Sequence, residues 1–209
     1  MHFDFKREFK ELYAPKAEPH LIEVPMMRFI AVAGRGDPND TQGEYARAVE
    51  TLYAVIYTIK MSRMGSRDIP GYADFVVPPL EGLWWMPGLA GVDYSRKENF
   101  RWLSMIRLPD FAGSEVVAWA GAEVRRKKGL DASDAQVFDY DEGLCVQCLH
   151  FGPYDDEPAT LTGMLDYMHT QGCQSDFAAR HHHEIYLSDP RKTASEKLRT
   201  IIRHPVRKV

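Results

Sequence analysis

The stretch "KLRTIIRHP", residues 197–205, decides the fold. It reads as a strand closed by a proline, and it has an echo. "MIRLP" (105–109) and "IIRHP" (201–205) each set an apolar residue before Ile-Arg-x-Pro. Working outward, the elements before each echo come in the same order. In the first half a β-rich run, Met27 to Ala33, is closed by Gly34, Gly36 and Pro38. Tyr45, Val49, Leu52, Ile56 and Ile59 then recur at steps of four and three, which predicts a helix with one apolar stripe and Gly65 as its stop. Strands follow around Leu83–Met86 and in "NFRWLSMIRLP". In the second half "LCVQCLHFG" reads as a strand and "DDEPATLTGMLDYMHTQG" as a helix, with Pro158 near its first turn and Gly172 past its end. "HHHEIYL" and "KLRTIIRHP" complete the set as strands.

The opening strands agree as well: "GRGDPND" and "FGPYDDE" both place Gly and Pro beside acidic residues. The copies start about 116–118 residues apart and end 96 apart, so the first holds roughly 20 more, around "MSRMGSRDIPGYADF" and "GLAGVDYSRKE". The expected fold class is therefore α+β, with two tandem strand–helix–strand–strand modules related by a pseudo-twofold. The expected boundaries are a polar lead-in over 1–20, a first module over about 21–110 and a second over about 143–207. A linking helix over about 113–129 carries Val116, Val117, Ala120 and Val124, with Ser114 as its cap. Its closing "RRKKG" suits a helix C-terminus with Gly129 at C′ better than a nucleic-acid contact. Joining two such modules brings their penultimate strands, near Trp85 and Tyr186, face to face and leaves a central ligand groove at the junction.

A composition of 44% hydrophobic and 27% charged residues is ordinary for a globular domain. A formal charge of −4 gives no electrostatic reason to expect nucleic acid. No apolar run approaches the roughly 18–20 residues that span a bilayer, so no membrane partner is expected. "MHFDFKREFKELY" has no signal-peptide core, and three cysteines are too few for a disulfide framework. These observations lead us to expect a cytoplasmic protein, monomeric or weakly dimeric.

The stretch "RHHHEIYLSDP" (180–190) is where the chemistry concentrates. Side chains alternate along a strand, so His182, Glu184 and Tyr186 share one face. His181, His183, Ile185 and Leu187 share the other, which the apolar pair marks as the face against the helices. Glu184 and Tyr186 then face the cleft. A glutamate there is either a solvated strand residue or a desolvated base, since desolvation raises a carboxylate's pKa. A metal would need three or four converging ligands, and His150 is the one candidate to join His182 and Glu184. In "CVQC", Cys145 and Cys148 point to opposite faces, against zinc or a redox dithiol. Neither a metal nor any other cofactor is expected. The acidic clusters "DYDE" (139–142) and "YDDE" (154–157) read as solvated loops and helix-start charge.

"HHHEIYLSDPRKTASEKLRTIIRHPV", "VPMMRFIAVAGRGDP" and "PLEGLWW" together resemble the GyrI-like small-molecule-binding proteins, closest to the stand-alone branch that includes cyclopropanoid cyclopropyl hydrolases. The resemblance covers about residues 20–207. It implies a groove holding a planar aromatic or cationic small molecule, with Glu184 as its buried glutamate. It also implies ring-opening of an activated cyclopropane by water. In that reading Glu184 is the base and Tyr186 the donor or orienting group. Trp84 and Trp85 form an aromatic wall, with Tyr45, Trp102 and His182 as further groove residues. The family also holds multidrug-sensing effector domains and a DNA gyrase inhibitor, so sequestration of a cationic drug and a gyrase-inhibitor role are the alternatives. The chain departs from the family's activators in having no helix-turn-helix segment before residue 20, so a complete DNA-binding regulator is not expected.

Overall fold

A computed structural model of the chain describes residues 2–65 and 67–209. The first module consists of β2 (Met27–Arg35), α3 (Glu44–Lys60), β3 (Leu80–Trp85) and β4 (Arg101–Arg107). The second consists of β6 (Gly143–Phe151), α5 (Glu157–Thr170), β8 (His182–Tyr186) and β9 (Arg199–Lys208). Four more pieces frame them: α1 (Phe5–Glu8) with α2 (Lys10–Tyr13), β1 (His20–Val24), β5 (Gln136–Tyr140) and β7 (Cys173–Ser175). α4 (Ser114–Lys128) joins the modules and ends on Gly129 at φ 67°, the left-handed conformation that glycine reaches without a Cβ penalty. Its N-cap is Gly113, not Ser114, which is the first helical residue and caps nothing.

The strands form one antiparallel sheet in the order β1-β6-β9-β8-β3-β4-β2-β5, with β7 on the side of β9. The modules meet where β3 pairs β8, with Gly82 opposite Glu184 and Trp84 opposite His182. This is the junction of penultimate strands that the repeat implies. The repeat holds in register too. Arg107 pairs with Phe29 as Arg203 pairs with Gln147, so the two Ile-Arg-x-Pro arginines occupy equivalent places.

The faces are covered differently from the sequence expectation. α5 packs Met164 and Met168 on Val146, Cys148 and Ile202, and α3 sets Tyr45 against Trp84 and Trp102. Through the register, these strand residues share the face of Glu184. The module helices therefore lie on the Glu184 side and not on the Ile185 side. The physical reason is position. β8 lies at the centre of the sheet, in the gap between the two helices, so its polar residues lie between them instead of under one.

The Ile185 face is covered by the N-terminal residues. Phe5, Leu12 and Tyr13 are buried. Tyr13 donates a 3.0 Å hydrogen bond to Glu81, the partner of Ile185. Both repeat arginines receive this segment. Arg203 donates to the Leu12 carbonyl at 2.6 Å, and Arg107 lies 4.9 Å and 4.2 Å from the Phe5 and Phe9 ring centres. The polar lead-in expected over 1–20 thus contributes Phe5, Leu12 and Tyr13 to the core.

Candidate active site

The groove lies over the β3–β8 seam and encloses about 690 Å³. One wall is α3, through Tyr45, Ala46, Val49 and Tyr53. The opposite wall comes from the loops at 153–155 and 188–195, and the floor from Leu80, Trp84, Glu184 and Tyr186. Tyr94, Lys97 and Phe100 close one end. They arise from or border the extra residues of the first copy.

Aromatic rings dominate. Tyr45 lies 5.3 Å from Trp84 and Tyr154 lies 5.7 Å from Tyr186, centre to centre. Trp84 Nε1 donates to the Tyr186 hydroxyl at 2.9 Å, which leaves the tyrosine proton free to point elsewhere. Gly82 makes this bond possible: a Cβ there would lie 2.7 Å from Trp84 Nε1 and 3.1 Å from the Tyr186 oxygen. Burial, then the neighbouring Glu184 charge, pushes the Tyr186 hydroxyl well above its ordinary pKa of 10, so it stays a neutral donor.

Glu184 is 6% exposed at the groove floor. Behind it is a buried chain of polar groups. His182 Nε2 lies 2.9 Å from Glu184 Oε1 and 3.6 Å from Glu157 Oε2. His182 Nδ1 lies 2.7 Å from His204 Nε2, and Tyr94 donates to Glu157 Oε2 at 2.6 Å. Burial opposes charge on His182, but the Glu157 and Glu184 carboxylates outweigh it and hold its pKa up at about 9. Burial, then the His182 charge, pushes His204 well down, so His204 accepts as a neutral ring. Burial, then the Glu184 charge, pushes Glu157 up.

The expected site residues therefore divide. Glu184, Tyr186, Trp84 and Tyr45 line the groove together. His182 is fully buried behind Glu184. Trp102 is also behind the wall, packed edge-on under Tyr45 at 5.3 Å. Trp85 does not join them: it stacks on His181 at 4.3 Å, because consecutive strand residues face opposite ways. The sequence reading missed Glu157, Tyr94, Tyr154 and His204. The glutamates of both acidic clusters, Glu142 and Glu157, are fully buried and are not solvated loop charge. The one available signal was the extra segment in the first copy, which carries Tyr94.

His150 bonds to Thr160 and to the Pro153 carbonyl instead of joining His182 and Glu184. Among the described residues, Glu157, His182 and Glu184 have donor atoms within 4.8 Å of one another, a spacing a metal could use. In this arrangement the same atoms hold one another: His182 Nε2 faces both carboxylates, His182 Nδ1 faces His204 and Glu157 Oε2 accepts from Tyr94. The trio forms a hydrogen-bonded network, and a metal would have to displace the proton between His182 and its carboxylates.

A family model of the GyrI-like small molecule binding domain matches residues 17–207. The chain belongs to the GyrI-like family. A crystal structure described as a hydrolase from Listeria innocua is 47% identical to this GyrI-like chain, with a TM-score of 0.89, covering 98% of this chain and 100% of that one. Another, described as an uncharacterized conserved protein from Listeria innocua, is 48% identical with a TM-score of 0.93 over 98% and 100%. The EcmrR C-terminal domain shares the GyrI-like fold at 14% identity and a TM-score of 0.55, over 92% of this chain and 98% of that one. No curated protein sequence matches. Among the described residues no helix is long and apolar enough to cross a membrane.

Proposed function

We propose that this GyrI-like protein is a hydrolase that opens an electrophilic cyclopropane fused to a planar aromatic or dienone system. The observation that carries the reading is the placement of Glu184, a nearly buried carboxylate opening onto an aromatic groove beside a neutral tyrosine donor. The substrate ring packs on the aromatic lining that Trp84 and Tyr45 supply. Glu184 removes a proton from water, and the water oxygen bonds to the ring methylene. The strained C–C bond breaks, and its electron pair passes into the dienone as a phenolate. Tyr186 donates a hydrogen bond to that oxygen, which then takes the proton back from Glu184. The net change is addition of one water. A general base supplies about 10²–10⁴-fold, and placement against the aromatic lining supplies the rest.

A second reading, sequestration of a cationic aromatic compound, has an observation of its own. Asp40, Asp155, Glu184 and Asp189 line the groove against only Lys97 and Arg191, which favours a positive ligand. For the gyrase-inhibitor alternative, each acidic cluster keeps its two aspartates exposed, Asp139 and Asp141 in one and Asp155 and Asp156 in the other, while Glu142 and Glu157 face inward.

The test is incubation with a spirocyclopropane-dienone in ¹⁸O-labelled water, followed by mass spectrometry, with Glu184→Gln alongside. Wild type should yield labelled ring-opened product and the variant at least about 10² less, while tryptophan fluorescence is quenched by ligand in both. Quenching with no product from wild type would sink the hydrolase and leave the binding module.

A further inference from the structure

Glu157 is the first residue of α5, where a glutamate ordinarily faces solvent and complements the helix dipole. Here it is fully buried, and it is absent from the groove lining. A buried carboxylate is retained where it is paired. Tyr94 fixes Oε2, which faces His182, and Oε1 has no hydrogen-bond partner among the described residues. Two carboxylates thus share one imidazole ring. The ring itself has no freedom, since His204 holds its other nitrogen.

We propose that Glu157 is a positioning residue that acts through His182 to hold Glu184 at the groove floor as the proton acceptor. The role rests on the hydrolase reading above. When Glu184 takes the water proton, its pull on His182 weakens. Glu157 then remains as the counter-charge, so His182 keeps its proton and its orientation through the cycle. No net proton leaves the pair: the one taken from water returns to the product phenolate. The groups facing His182 are Glu184 on its own strand, His204 on β9, Glu157 on α5 and, through Glu157, Tyr94.

The test is Glu157→Gln in the full chain, with Tyr94→Phe as a milder variant should the first fail to fold. The kcat of Glu157→Gln should fall about tenfold, a part of the 10²–10⁴ that a general base supplies, with KM within about twofold because no ligand contact is lost. The alkaline limb of the pH–rate profile should move to lower pH. The ¹⁵N signals of His182, followed without substrate, should show the same downward move, smaller for Tyr94→Phe. A variant that is only less stable, with His182 titration and pH profile unchanged, overturns the inference. Wild type that turns nothing over sinks the hydrolase reading instead, and the imidazole titration still decides the Glu157 pairing.

Discussion

His182 and His183 are neighbours in β8, yet each holds its own pair of buried carboxylates on opposite faces of the sheet. His182 meets Glu184 at 2.9 Å and Glu157 at 3.6 Å on the groove side. His183 meets Glu142 at 2.8 Å and Glu81 at 3.0 Å on the side of the N-terminal segment. One peptide unit separates a network that opens onto the groove through Glu184 from one sealed inside the core.

The sealed network should matter for stability and little for turnover. Arg203 bonds both Glu142 and Gln147, and burial of Glu142 is outweighed by His183 and Arg203, which hold its pKa down at about 2. Removing one partner of a buried ion pair costs about 3–5 kcal/mol. Glu142→Gln should therefore lower Tm by roughly 10 °C, while the folded variant keeps its turnover at low temperature. A calorimetric scan beside a rate measurement checks both; an unchanged Tm would refute the pairing.

The two tryptophans should separate cleanly. Trp84→Phe keeps a ring in the groove but removes the N–H that holds the Tyr186 hydroxyl, so kcat/KM on the dienone should fall about fivefold to thirtyfold, the equivalent of about 1–2 kcal/mol for one hydrogen bond. Trp85→Phe keeps the stack on His181 and should leave kcat/KM within about twofold. Equal losses in both would mean that both faces of β3 bear on the site.

Stability should fall on the alkaline side. His182 is raised from 6.5 to about 9, and His183 is raised too: burial opposes their charge, but their carboxylate partners win. A raised histidine contributes stability that is complete below its unfolded pKa and is lost as pH rises through the folded value. Tm should therefore decline from about pH 6.5 to about 9, and less steeply in His182→Gln. A flat profile across that window would show both rings to be neutral.

Much of the fold was legible because it is periodic and repeated. Alternation along "HHHEIYL" placed Glu184 and Tyr186 together, and the Ile-Arg-x-Pro echo gave the module order, since local spacing follows from backbone geometry. The same alternation separates Trp84 from Trp85, so their opposite faces were also open to the sequence. Glu157 and Tyr94 were not. One reads as helix-start charge and the other as a turn residue, and their meeting depends on how α5 and the segment before β4 approach the seam from far apart in the chain.

By itself the sequence determined the duplicated α+β architecture and the strand that carries the site, because hydrophobic period and turn chemistry act over a few residues. Only the tertiary structure decided which face of the sheet the helices cover, that the N-terminal residues seal the other, and which carboxylates are buried together. Burial is a property of what packs over a residue, and for Glu157 and Glu142 those neighbours come from elsewhere in the chain.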